Sequence, residues 1–452
     1  MAEQDKTRIV ILGGGFAGLH AAMHLDDTLA RDPNIEVTLV NRENFFLFTP
    51  MLHEIAACDL DITHIVNPIR KLLKHVQFFE GDVQKIDLEA REVTVSHGLD
   101  NHCHDLPYDH LVLACGSVTN FFGLPGLRDH ALTMKSLGDA IHLRNRVIEF
   151  MEEADSECAA GNREKLLRFV VAGGGFAGVE TVAAINDFVR EALRFYPHLT
   201  EQLVQMVLVH PGDVILPELG PKLGAYAQAK LAERGVDIRV KTKVVDAGQG
   251  WSLLSDGSRL ETDTLVWTAG TSPNPLLSPL MCQKERGRVR VNEFLEVPEW
   301  PNVWALGDCA CVSDPRTGLP YPPTAQHAIR QAKTLVGNIM ASLHGGAKKP
   351  FQFNTIGQLA SIGRRTGVAR IFGVNFSGFL AWWLWRSIYL SKLPRIEKKI
   401  RVALDWSLDL LFTKDIVQFL THRSGGVLHA EHATTPSAPA EAVVVDRTEK
   451  VS

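Results

Sequence analysis

Gly13-Gly14-Gly15-Phe16-Ala17-Gly18 and Gly173-Gly174-Gly175-Phe176-Ala177-Gly178 are one six-residue phrase written twice. The first follows the apolar run Ile9-Val10-Ile11-Leu12, the second Phe169-Val170-Val171-Ala172, and each leads into an apolar stretch of helical character. Both fit G-x-G-x-x-G between a strand and a helix. In that setting the first glycine allows a tight turn, and the second has no Cβ to block a pyrophosphate. The third lets helix and strand approach. The helix start offers N–H groups and a positive dipole end to phosphates. One match is a weak signal, since tight turns without a ligand share it. Two matches placed alike point to two dinucleotide sites in one chain, and so to electron transfer between two cofactors.

Working outward, residues 8–12, 18–29 and 36–40 read as strand, helix and strand, the βαβ unit that the fingerprint requires. Downstream of the first loop stands Asp109-His110-Leu111-Val112-Leu113-Ala114-Cys115-Gly116. Downstream of the second stands Asp263-Thr264-Leu265-Val266-Trp267-Thr268-Ala269-Gly270, the same D-x-L-V-x-x-x-G pattern. A whole Rossmann-like unit is therefore duplicated. The second unit has a long helix over 179–195 and its second strand over 205–209; a further strand ending in Gly-Asp spans 303–308. The expected fold class is α/β, with two Rossmann-like dinucleotide-binding domains, the second inserted in the first. Residues 1–124 and 266–345 form one domain, and 125–265 form the other. A C-terminal region follows over 346–422, with strand character in 348–372, then a disordered tail over 423–452 that is rich in Ala, Thr, Pro, Ser and Glu.

Composition narrows the function. The chain has 452 residues, 45% hydrophobic and 22% charged, with a net charge of -5, so nucleic acid is not the expected partner. Its seven cysteines contain no C-x-x-C, which argues against a dithiol redox pair and a zinc site. Cys309 and Cys311 read as buried thiols. No metal is expected. The polar stretch 1–6 is too short for a signal or transit peptide, so the default compartment is a bacterial-type cytoplasm.

The C-terminal region carries a second signal. Residues 371–385 hold no charge but fall short of the about twenty residues that a spanning helix needs, and Arg386 interrupts the run. Over 395–412 a helical wheel gathers Ile396, Ile400, Ala403, Leu404, Ser407, Leu410 and Leu411 on one face. Lys392, Arg395, Lys398, Lys399 and Arg401 supply a basic rim, and Trp382, Trp383, Trp385 and Trp406 are aromatics of the interfacial kind. An apolar face with a basic rim suits an anionic membrane surface, contacted through residues 376–412. The alternative is an amphipathic pair packed on the core or on a second copy in a homodimer.

Several motifs together give the chain a family likeness over about 7–422. They are Phe46-Leu47-Phe48-Thr49-Pro50-Met51-Leu52-His53-Glu54, Trp267-Thr268-Ala269-Gly270-Thr271-Ser272-Pro273-Asn274 and Ala325-Gln326-His327-Ala328-Ile329-Arg330-Gln331. Ser377-Gly378-Phe379-Leu380-Ala381-Trp382 and Ala403-Leu404-Asp405-Trp406 complete the set. With these motifs the chain resembles the type II NADH:quinone oxidoreductases, single-subunit, membrane-peripheral enzymes that do not pump ions.

The resemblance implies one non-covalent FAD, held by Gly13, Gly15, Phe16, Ala17 and Gly18, with Gly116 and Ala325 alongside and Asp308 on the ribitol chain. The acid usual at the end of strand two is replaced by Asn41, followed by Arg42, so the ribose contact lacks charge assistance. The helix opening near Thr324 would aim its positive end at the flavin pyrimidine ring. NADH falls to Gly173, Gly175, Phe176 and Gly178, with Gly270 beside them. Here His210 stands where an acid would read the ribose; no Arg follows and Asp213 is near, which favours NADH over NADPH. Glu180 would lie beside nicotinamide and flavin, positioning the hydride donor or relaying a proton. Gln326 and Gln331 belong to the quinone motif, but they sit roughly 140° apart on a helix and need not share a face. Gln326, nearer the helix start, is the better candidate for a quinone carbonyl.

The implied activity is NADH oxidation by hydride transfer to FAD, then two-electron reduction of a membrane quinone at the cytoplasmic face of the cell membrane. Two rivals remain at this point. One is a soluble NAD(P)H-dependent flavoprotein reductase with a protein acceptor; the other is a catalytically idle NAD-sensing scaffold.

Overall fold

The strand Thr7–Leu12, whose apolar residues 9–12 are buried, lies at the centre of a five-stranded parallel sheet, flanked by Ile35–Asn41 and His110–Leu113. Gln77–Glu80 and Val303–Ala305 form its edges. The structure, a computed structural model, describes residues 6–419. The expected tail over 423–452 and most of the polar N-terminal stretch lie outside the described residues.

A second parallel sheet repeats the plan, in the order Leu132–Thr133, Thr264–Trp267, Arg168–Ala172, Gln205–Val209, Val236–Arg239. Strand 303–305, although it follows this sheet in the chain, pairs with the first sheet. The chain crosses between the sheets through a two-stranded antiparallel pair, Ser117–Thr119 with Thr271–Pro273. The central strands are buried throughout, as parallel strands covered on both faces must be. Helix Phe16–Asp26 starts at the first loop and helix Phe176–Ala192 at the second. The helix read over 18–29 is thus shorter and earlier, with a separate turn at Leu29–Arg31.

Two C-terminal readings are corrected. The uncharged run 371–385 is not one helix. It closes strand Gly367–Ile371, forms strand Val374–Gly378 and enters helix Phe379–Lys392 only at Phe379. Gly363, Gly373 and Gly378 lie at positive φ around this small antiparallel sheet, where side-chain-bearing residues are strained. The second correction concerns the tryptophans. Trp382, Trp385 and Trp406 are buried, and Trp383 alone of the four is exposed. Arg386 is half-buried beside them, its guanidinium over the rings of Trp382 and Trp406. Helix Ile396–Leu408 docks through Val402, Trp406 and Lys398. Lys398 therefore leaves the basic rim and donates to the Thr63 carbonyl at 2.6 Å. The opposite face, Ile396, Ile400, Leu404, Leu408 and Leu411, is exposed. Among the described residues no helix is long and apolar enough to cross a membrane.

Candidate active site

The two glycine loops have the same internal geometry. Gly13 and Gly173 lie at φ +104° and +119°, and a Cβ on either would press on backbone of the neighbouring closing strand's exit, at Ala114 and at Thr268–Ala269. A Cβ on Gly18 or Gly178 would overlap the carbonyl oxygen of Gly13 or Gly173. By contrast, a Cβ on Gly15 or Gly175 would meet no atom within 4 Å. The first and third glycines are thus needed by the protein itself. The middle one borders open space, and that is the position where a pyrophosphate requires close approach. The chain fits two dinucleotides on this test.

The strand-end residues do something that the sequence reading missed. Asn41 Oδ1 accepts from the Gly14 N–H at 2.7 Å, and its Nδ2 donates to the Glu43 carbonyl at 2.8 Å. In the second unit the His210 Nδ1 accepts from the Gly174 N–H at 3.1 Å. Both side chains brace their loops, a role the sequence did not reveal. Burial holds His210 below its ordinary pKa, so it is neutral at pH 7. Arg42 is paired with Asp82 at 2.6 Å.

Phe16 packs edge-on against Phe46 and tilts against Phe48, fixing the first turn of its helix. Gly307, at φ +72°, brings Asp308 close to that helix; a Cβ there would come within 2.9 Å of the Ala17 Cβ. Asp308 Oδ2 accepts from Ser117 Oγ at 2.8 Å, and Ser117 Oγ accepts from Lys135 Nζ at 2.8 Å. Ser117 follows Gly116, whose Cα also faces open space. Lys135 and Ser117 carry no motif and were not legible. Gly270 lies at φ +81° under the Phe122 ring.

Helix Ala325–His344 begins at Thr324, as read, and packs along helix Phe16–Asp26. Its two glutamines part company. Gln331 is buried and its Oε1 accepts from the Gly307 N–H at 2.8 Å, so it holds the Asp308 loop; a direct quinone contact is withdrawn for it. Gln326 is half-buried, with Nε2 donating to the Gly357 carbonyl at 3.2 Å. Ala325 sits beside it at the helix start.

Glu180, two residues past the third glycine of the second loop, is buried. Its Oε1 accepts from the Trp385 indole at 2.9 Å and from the Ser361 N–H at 3.1 Å. Oε2 lies 3.8 Å from His53 Nδ1. Beside His53, Glu54 accepts from the Trp406 indole at 3.2 Å through both oxygens. Each C-terminal helix therefore sends one indole onto one buried carboxyl. Burial pushes the Glu180 carboxyl up to about 8 and the Glu54 carboxyl up to about 8, while it drives His53 down to about 3. All three groups are therefore mainly neutral at pH 7 and below, down to about pH 4. Such displaced acids are a mark of functional sites. His53, Glu54, Trp385 and Trp406 were not singled out as site residues. The available signal was a charged pair set inside the apolar run Met51-Leu52-His53-Glu54-Ile55-Ala56.

Two nucleotide loops joined by a strand pair, with a buried acid between them and the C-terminal helices, define the class: a two-nucleotide flavoprotein reductase. The pyridine nucleotide-disulphide oxidoreductase family model matches residues 7–332, and the NDH2 C-terminal domain model matches 356–415. The type II NADH:quinone oxidoreductase Ndh of Mycobacterium tuberculosis is 34% identical over 423 residues, covering 90% of this chain and 89% of the relative. The type II NADH:quinone oxidoreductase of Staphylococcus aureus is 28% identical over 83% of this chain and 92% of its own. The fold of NDH2 from Plasmodium falciparum, solved in complex with NADH, superposes with a TM-score of 0.85 at 19% identity, over 91% of this chain and 100% of that one. The chain belongs to the type II NADH:quinone oxidoreductases.

Proposed function

We propose that this chain oxidises NADH at its second glycine loop and reduces a quinone, with FAD held at its first. The observation that carries this reading is the open space at Gly15 and Gly175, flanked in both loops by glycines the backbone cannot exchange. FAD, when bound, supplies the chemistry by accepting hydride from NADH and passing two electrons to quinone.

The chain's residues hold and orient. Gly13, Gly15 and Gly18, with Asn41 bracing the loop, hold one pyrophosphate; Gly173, Gly175 and Gly178, with His210, hold the other. Asp308, oriented by Ser117 and Lys135, faces the ribitol chain. The helix starting at Ala325 presents its positive end to developing negative charge. Glu180 stands between the nicotinamide side and the C-terminal helices, where it exchanges a proton with the quinone. Gln326 lies at the same helix start and donates to a quinone carbonyl on releasing Gly357. The soluble-reductase and scaffold alternatives are not favoured, because the family and the NDH2 C-terminal domain both cover the chain.

The finer division into residues 1–124 with 266–345, 125–265 and 346–422 is part of the same reading. So is attachment to an anionic membrane at its cytoplasmic face. Support comes from the exposed Ile396, Ile400, Leu404 and Leu411 beside exposed Phe379, Leu380 and Trp383. Lys392 and Arg401 are exposed cations nearby. A second copy covering that face is the alternative, and sedimentation with and without anionic vesicles separates the two. The activity itself is tested by removing residues after 370. Loss of vesicle binding and of quinone reduction together supports the reading; survival of both overturns the membrane part.

A further inference from the structure

Reduction of quinone to quinol by NADH consumes one proton beyond the hydride: NADH, one H⁺ and quinone give NAD⁺ and quinol. The hydride brings two electrons and one proton equivalent, so the other proton comes from water. Glu180 is buried, and the reading above leaves open how water reaches it.

We propose that Glu54 is a relay residue that takes up this proton from water in an adjoining cavity and passes it through His53 to Glu180. The proposal rests on Glu180 acting at the quinone. Its geometry begins with the convergence of two N–H donors, Ser361 and Trp385, on Glu180 Oε1. An oxygen that accepts two such bonds is the poorer site for a proton, so the carboxyl proton belongs on Oε2. Oε2 is the oxygen that faces His53 Nδ1, at 3.8 Å. That gap is closed by a small rotation or a bridging water.

His53 and Glu54 line a cavity of about 40 Å³, which has room for one or two waters, on the order of 30 Å³ each in the liquid. Asp59, Arg364, Asp409 and Lys414 line it as well, and the Arg364 side chain is 39% exposed, which marks the outer rim. Two buried polar atoms of this wall, Arg386 Nε and Asp409 Oδ1, have no protein partner. Buried polar atoms of native proteins are satisfied, so these two are partners for water inside the cavity. A polar cavity with unmet donors and acceptors, reaching from a rim arginine to a neutral acid, is the arrangement a proton inlet needs.

The surrounding charges keep Glu54 in balance. Arg386 from helix Phe379–Lys392 and Lys414 from the segment after helix Ile396–Leu408 favour its ionised form; Asp59 opposes it. Asp59 and Lys414 are themselves paired at 2.6 Å. Trp406 donates to both Glu54 oxygens, and His53, the residue before Glu54, faces Glu180 Oε2. Burial raises both carboxyls, so each can carry a proton near neutral pH. His53, kept neutral by burial, transfers a proton by accepting at one ring nitrogen and releasing from the other.

The test uses the full-length flavoprotein in detergent and Glu54→Gln, which keeps the shape and the Trp406 contact. Enzyme is first bleached with NADH under anaerobic conditions, then mixed with a short-chain quinone between pH 6 and 10. Bleaching by NADH reports that the variant is folded and carries flavin. Recovery of colour is expected to slow about tenfold or more in Glu54→Gln, and to lose the alkaline fall-off expected of the wild type. Glu54→Asp is expected to regain part of the rate. The infrared absorption of protonated carboxyls is expected to lose one component in Glu54→Gln relative to the wild type, the component of Glu180 remaining. Wild-type rate and profile in Glu54→Gln would overturn the relay. So would a slower variant with an unchanged pH profile, the signature of a purely structural residue. Should the variants not fold, wild-type recovery in D₂O decides: no slowing contradicts a proton relay. A wild type that bleaches but never recovers with quinone instead defeats the reading of Glu180 and of the activity.

Discussion

The two glycine loops are alike in sequence and in backbone, yet two residues further on they part. The first continues Gly18-Leu19-His20, the second Gly178-Val179-Glu180. His20 stands half-buried, its pKa lowered to about 4 by burial, with His24 and Lys392 nearby. Glu180 is buried under the Trp385 indole, with its pKa raised to about 8. The loops match in backbone because Gly13 and Gly18 answer to the same contacts as Gly173 and Gly178. What lies one helical step later is free to differ. In the second unit it is a buried acid, the one proposed above to act at the quinone.

The harshest way to break this comparison is to add a methyl group where the backbone has no room. Gly18→Ala and Gly178→Ala each overlap the carbonyl of their own first glycine and are expected to abolish folding of that unit, seen as loss of soluble protein or of its thermal transition. Either variant folding normally would contradict the loop geometry. Gly15→Val and Gly175→Val, by contrast, should fold. The first should emerge with little flavin. The second should keep flavin but raise the KM for NADH about tenfold or more, since the side chain fills the pyrophosphate's place. Equal effects of the two on flavin content would mean that the loops are not assigned one to each nucleotide.

Glu180→Gln should retain flavin and slow quinone-dependent turnover by about a hundredfold, within the range for a positioned acid. His20→Gln at the matching position should leave turnover within about twofold. Similar losses in both would erase the distinction drawn between the units.

The same pair has opposite pH signatures. Glu180 binds a proton more tightly in the folded chain than its ordinary value of 4.5 allows, so its contribution to stability is present at low pH and is lost as pH rises toward about 8. His20 binds one less tightly when folded, so its contribution is present above 6.5 and is lost as pH falls toward about 4. Glu180→Gln should therefore raise the melting temperature above pH 8 relative to wild type, and His20→Gln should raise it only on the acid side. Melting curves from pH 4 to 9 check both signs.

The smallest effect is expected at the membrane face. Replacing Lys392, Lys399 and Arg401 with Gln should weaken binding to anionic vesicles by about 1 kcal/mol per residue, less at high salt. Lys398→Gln should act on stability instead, since that ammonium is buried against Thr63.

Much of this arrangement could be read in the chain. Glycine spacing after an apolar run dictates both parallel sheets, since only glycine tolerates the contacts at positions 13, 18, 173 and 178. The exposed stripe from Ile396 to Leu411 was legible from its helical period. The run 371–385 misled because an apolar stretch has no period of its own, and the turn residues Gly373 and Gly378 decided it. The tryptophans misled because composition cannot say which way an indole faces. Trp385 and Trp406 turn inward because two buried carboxyls, far away in sequence, need donors. Gln331 and Lys135 act over shorter separations, on Gly307 and Ser117, 24 and 18 residues away, but these pairings too carry no local pattern in the sequence.

The visible spectrum of the purified protein is the most direct test of the central claim that two different nucleotides occupy two matching loops. The protein should be yellow, bleach on anaerobic addition of NADH and regain its colour when a short-chain quinone is added. A colourless protein unable to take up FAD, or a yellow one that NADH does not bleach, would contradict it.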